Sequence, residues 1–102
     1  SLNIDYGKLD YHFTAFIGIL LTKSNRTQEV LKELASIPNV VEASVISGKY
    51  NIFCKVRAKH TEDAKRIIYQ IDDIQDVMRT ESMISMEEYL SDRNRLINAI
   101  SI

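Results

Sequence analysis

Cysteine is almost absent from this 102-residue chain. The lone Cys54 excludes an internal disulfide and suits a reducing cytoplasm. A marked excess of charge of one sign is missing too. With a formal net charge of -1, the chain has no excess of cations to neutralise a phosphate backbone, which is what drives general affinity for nucleic acid. It is expected to bind DNA poorly by itself. No run is long and apolar enough to span a bilayer, and Ser1-Leu2-Asn3-Ile4-Asp5 lacks the basic and apolar regions of a signal peptide. What is there is 45% hydrophobic and 26% charged, the balance of an ordinary soluble domain. One domain of this length buries roughly two-thirds of its unfolded-chain surface, enough for a core that needs no staples.

The chain is organised around Val45-Ile46-Ser47-Gly48-Lys49-Tyr50-Asn51-Ile52-Phe53-Cys54-Lys55-Val56. Two runs of β-branched and aromatic residues flank a Ser-Gly-Lys break, the pattern of a β-hairpin whose turn needs a residue tolerant of positive φ. Gly48 also leaves backbone uncovered by any Cβ, with Tyr50 and Asn51 beside it, so the turn is a candidate receptor for a small polar molecule. The plainer reading is a tight turn with two ordinary neighbours.

In chain order, Ser1 to Asp10 reads as a polar linker. From Tyr11 to Thr22, Phe13, Ala15, Ile17, Ile19 and Leu21 share one side of a strand, and His12, Thr14, Phe16, Gly18 and Leu20 share the other. Lys23 to Thr27 supplies breakers and candidate N-caps before a helix whose apolar face is Val30, Leu31, Leu34 and Ile37. Pro38 ends it, because proline disfavours helical geometry in the residue before it. Strands follow at Val40 to Ser47 and Tyr50 to Ala58, the latter placing Ile52, Cys54 and Val56 inward. Thr61 is the expected N-cap of a second helix, with Glu62 and Asp63 at the positive end of its dipole and Ala64, Ile67, Ile68 and Ile71 buried. Ile74 to Met86 is a fourth strand, and Glu87 to Ile102 a tail with a short helix.

The order β-α-β, link, β-α-β predicts an α+β, ferredoxin-like βαββαβ sandwich: four antiparallel strands with both helices on one face. Its uncovered face would carry Phe16, Leu20 and Phe53, more apolar than a monomer usually leaves in water. A second copy laid against that face would bury it, so at least a homodimer is expected.

Several segments together resemble the effector-binding domain of the Lrp/AsnC transcriptional regulators: Leu9-Asp10-Tyr11 leading into Ala15-Phe16-Ile17-Gly18-Ile19, then Ile37-Pro38-Asn39-Val40, Gly48-Lys49-Tyr50-Asn51, Lys55-Val56-Arg57-Ala58 and Arg79-Thr80-Glu81-Ser82. The match runs in order from about Leu2 to Glu88. The resemblance implies a prokaryotic, cytoplasmic sensor of amino acids or related metabolites that pairs through its sheets, assembles as far as octamers and holds its effector between dimers. It also implies a DNA-reading helix-turn-helix domain. No pair of helical patterns precedes Tyr11, so residues 11–102 are expected to be the ligand-binding and oligomerisation domain, either a fragment cut at the connector, with residues 1–10 its remnant, or a stand-alone effector domain; the fragment is favoured. The implied effector pocket uses Gly48, Tyr50 and Asn51 of the hairpin with Thr80 and Ser82 of the fourth strand. Hydroxyls and backbone amides suit a carboxylate, and an acceptor side chain suits an ammonium. The family pattern usually has Asp where this chain has Asn51, which removes the charge that would pair with an α-ammonium. Ser82 in place of Thr keeps the hydroxyl.

Enzymatic readings find little support. His12 and His60 have no partner at ligand spacing, and no metal or cofactor is implied. Cys54 sits on the core side of its strand as a small hydrophobe. Asp72, Asp73 and Asp76 fit a turn, and Glu87-Glu88 a solvated helix start. A small ferredoxin-like oxygenase or isomerase would have to reveal itself by turnover. The other alternative is an RNA-binding RRM, which shares the element order and stacks bases on open-face aromatics. Against it stand the charge balance and the expectation that Tyr50 and Phe53 lie on opposite faces of a regular strand.

Overall fold

The computed structural model describes residues 10–100. The expected linker lies outside them apart from Asp10. The elements are β1 (Phe13–Leu21), α1 (Thr27–Ala35), β2 (Val40–Val45), β3 (Ile52–Ala58), α2 (Thr61–Asp72), β4 (Val77–Ile84) and α3 (Arg95–Ile100), with a 3-10 turn at Ser24–Arg26 leading into α1. The strands form one antiparallel sheet in the order β2-β3-β1-β4. This is the anticipated βαββαβ sandwich.

Alternation along the two central strands builds the core. Ala15, Ile17, Ile19 and Leu21 of β1 and Ile52, Cys54, Val56 and Ala58 of β3 are buried side by side. Val30 and Leu34 of α1 and Ala64, Ile67 and Ile71 of α2 cover them at helical spacing. Burial pushes the Cys54 thiol up to about 12, which leaves it an inert hydrophobe as its position in the strand suggested.

The structure corrects several boundaries. His60, not Thr61, caps α2: its Nδ1 accepts from the Asp63 N–H at 3.2 Å, and Thr61 is the first helical residue. An imidazole lone pair thus takes the place of the hydroxyl oxygen expected there. Ile74 belongs to a turn rather than to β4, because the Val77 N–H bonds back to the Ile74 carbonyl and Asp76 takes a φ of 74°. Tyr50 precedes β3 instead of opening it.

Each outer strand carries a bulge. On β2 the register passes from Val40 to Glu42 while β3 advances one residue, leaving Val41 extra. On β4 it passes from Arg79 to Val77 while β1 advances from Leu20 to Leu21, leaving Met78 extra. The tail beyond β4 includes the expected short helix, but α3 buries none of its residues, and Leu96, Ile97 and Ile100 are exposed.

Candidate functional site

The turn between β2 and β3 is fastened at its base. Ile46 N–H donates to the Asn51 carbonyl at 3.1 Å, and Asn51 N–H donates to the Ile19 carbonyl at 2.9 Å. The Asn51 side chain adds one more rung to the β1/β3 ladder, its Oδ1 accepting from the Leu21 N–H at 2.9 Å. The oxygen expected to meet an ammonium is therefore already engaged with the backbone. Above this base Gly48 is exposed, with a φ of 105° and open space where a Cβ would stand. Glycine is required there by conformation, not by crowding.

Tyr50 does not alternate with Phe53. Its ring lies over Gly18 of β1, where a Cβ would come within 2.7 Å of Cδ2 and 2.8 Å of Cγ and Cε2. Gly18 pairs with Phe53 on one side and Glu81 on the other, so Tyr50 sits on the uncovered face, between those two neighbours. Its hydroxyl donates to the Glu81 carboxylate. That bond, more than partial burial, raises the Tyr50 phenol above its ordinary value. Next to it, Phe16 and Phe53 stack with centroids 5.9 Å apart. Phe16, Leu20 and Phe53 are all half-buried in one copy.

Thr80 and Ser82 fall on the opposite side. They pair with Ile19 and Ile17, the core-facing residues of β1, and Thr80 donates to Asp72 at the end of α2 at 2.5 Å. Within one copy the five candidate residues therefore separate into the turn, with Tyr50 carried onto the open face, and a pair of hydroxyl residues on the helix side of an outer strand.

A polar cluster occupies the other end of the open face. Glu88 Oε1 meets Arg57 Nη2 at 2.9 Å and Lys55 Nζ at 3.7 Å, while Arg57 Nη1 donates to Thr14 Oγ1 at 2.7 Å. Sequence reasoning treated Glu88 as a solvated helix start. The signal for this cluster was the alternation of Lys55 and Arg57 with inward residues on β3, two cations side by side that call for an acid. His12 is exposed beside β1. Among the described residues no group of three or more His, Cys, Asp or Glu is placed to hold a metal, and no helix is long and apolar enough to cross a membrane. An open groove of about 490 Å³ between the ends of α1 and α2 is lined by Glu29, Glu33, Asp73 and Asp76. Arg26 bonds Asp76 there at 2.9 Å, and none of the five candidate residues lines it.

The family model of the Lrp/AsnC ligand binding domain matches residues 14–95. The chain belongs to the Lrp/AsnC family. It is 36% identical to the regulatory protein AsnC of Haemophilus influenzae over 85 residues, which are 82% of this chain and 57% of that protein. The structure of E. coli AsnC superposes with a TM-score of 0.85 at 27% identity, covering 90% of this chain and 62% of that one. A feast or famine regulatory protein from M. tuberculosis, complexed with L-methionine, shares the fold, with a TM-score of 0.80 at 22% identity over 91% of this chain and 63% of its own. The chain thus spans less than two thirds of the length of these relatives. As an Lrp/AsnC ligand-binding domain it is a regulatory and not a catalytic module, which sets aside the enzyme reading. One objection to the RRM reading, that Tyr50 and Phe53 occupy opposite faces, fails in the structure. The family match decides against that reading independently.

Proposed function

We propose that this domain senses an amino acid or closely related metabolite at a site assembled where copies adjoin, and passes occupancy to a DNA-binding domain as a change in assembly. The observation that carries this is the division of the candidate residues. Gly48, Tyr50 and Asn51 lie at one turn, whereas Thr80 and Ser82 lie on an outer strand on the side of the helices, so one copy does not gather the five around a single pocket. A neighbouring copy can bring its β4 to the turn. The half-buried Phe16, Leu20 and Phe53 supply a separate surface for pairing sheet to sheet, and dimers joined through the turn would give larger closed assemblies. The L-methionine held by the M. tuberculosis relative supports an amino acid as ligand class. The DNA would be engaged through a helix-turn-helix domain outside the described residues, in the cytoplasm. Effector and DNA then communicate because each favours one assembly over another.

A panel of amino acids tested by thermal shift with light scattering examines this. A ligand that binds only the folded form raises the melting temperature with concentration, by about 2.7 kcal/mol of added stability at a hundred times Kd. Gly48→Val, which forces a β-branched residue into positive φ, is expected to abolish the response. Absence of any shift at millimolar concentrations in the unaltered chain, or a full response in Gly48→Val, would overturn the proposal.

A further inference from the structure

Glycine in the middle of a central strand weakens it and marks a close approach by another group. Gly18 is such a residue, since its φ is not positive and the three atoms nearest to an added Cβ all belong to the Tyr50 ring. The ring crosses the open face from the start of β3, over β1, to Glu81 on β4, so a single side chain ties three strands. Tyr50 lies two residues from Gly48, and Asn51, which follows it, is fixed to β1 through both its N–H and its Oδ1. The turn is thereby held by two adjacent anchors, one in the plane of the sheet and one across its face.

We propose that Gly18 and Glu81 are positioning residues for the effector turn: they seat and tie Tyr50, and the seated ring sets where Gly48 stands. Tyr50 then acts as a clasp and not as a contact to the effector. This inference rests on the reading of the turn as part of the effector site. It adds two residues from other strands to that site, and it connects the turn to the face on which a second copy is expected to lie. The ring is in the right place to convey a displacement of the turn to that face, because it occupies the row shared with Phe53.

The test is a double-mutant cycle on the full chain, read by the amide resonance of Gly48 and by the melting-temperature response to the amino acid that shifts the unaltered protein most. Gly18→Ala evicts the ring; it is expected to move the Gly48 resonance in the ligand-free protein and to weaken the response about tenfold, the scale of coupling between contacting residues. Glu81→Ala, which leaves the slot open, is expected to act in the same direction and less strongly. In a Tyr50→Ala background, Gly18→Ala should have no further effect on either readout, because there is no ring left to displace. Additive effects in the cycle, or a response unchanged in both Gly18→Ala and Glu81→Ala, would overturn the clasp while leaving the effector site standing. An unaltered protein that answers to no amino acid would overturn both.

Discussion

Asn51 shows how one side chain can be legible in type and misjudged in role. Its position beside a turn glycine marks it for hydrogen bonding, but periodicity cannot say which donor it meets. Asn51 stands just before β3 begins, and its Oδ1 accepts from the Leu21 N–H of β1. Asn51→Ala leaves that half-buried donor unmet and is expected to cost about 1–3 kcal/mol, read as a lower urea midpoint. Asn51→Asp keeps an acceptor in place, so stability at neutral pH should hold, while its charge should tighten the response to amino acids bearing an α-ammonium. An aspartate variant as unstable as the alanine one would show that the bond to Leu21 does not matter. Tyr50 was misplaced for a related reason. Alternation was extended two residues beyond the true start of β3 at Ile52, and the slot above Gly18 then draws the ring to the face opposite the one alternation assigns.

Among the elements, α2 has the most explicit start. The Asp63 carboxylate accepts from the Lys59 N–H at 2.9 Å and from Arg66 at 2.8 Å, and the first of these, helped by the second, holds it below the ordinary carboxylate value. A carboxyl group whose folded value is depressed adds stability above its unfolded value and loses it as pH falls through the folded one. Urea midpoints measured downward from neutral pH should therefore drop in the acid range, and Asp63→Asn should flatten that limb while lowering the midpoint at neutrality. An unchanged acid limb in the variant would remove Asp63 from the account. The helices and central strands were legible because their apolar periods, 3.6 and 2, are imposed by burial on one side. The outer strands were less so: β4 keeps most of its side chains exposed, leaving nothing to enforce a period, and its bulge at Met78 breaks the alternation. The cap at His60 was not legible because threonine is among the residues favoured at an N-cap and histidine is not.

For the whole molecule, the uncovered sheet face is the surface proposed to meet a second copy. Phe53→Lys sets a cation in the stacked pair of Phe16 and Phe53 and is expected to convert a paired species into one of 11.7 kDa by light scattering at micromolar concentration, with the fold retained by circular dichroism. Unaltered association in that variant would remove this face as the meeting surface. The domain thus has a half-buried aromatic patch on its open face and a C-terminal helix with exposed Leu96, Ile97 and Ile100 in one copy, yet both outer strands of the described sheet carry a surplus residue, Val41 on one and Met78 on the other. Irregular borders of this kind recruit further strands poorly. If copies gather as proposed, such borders would hold the assembly back from running on into fibres.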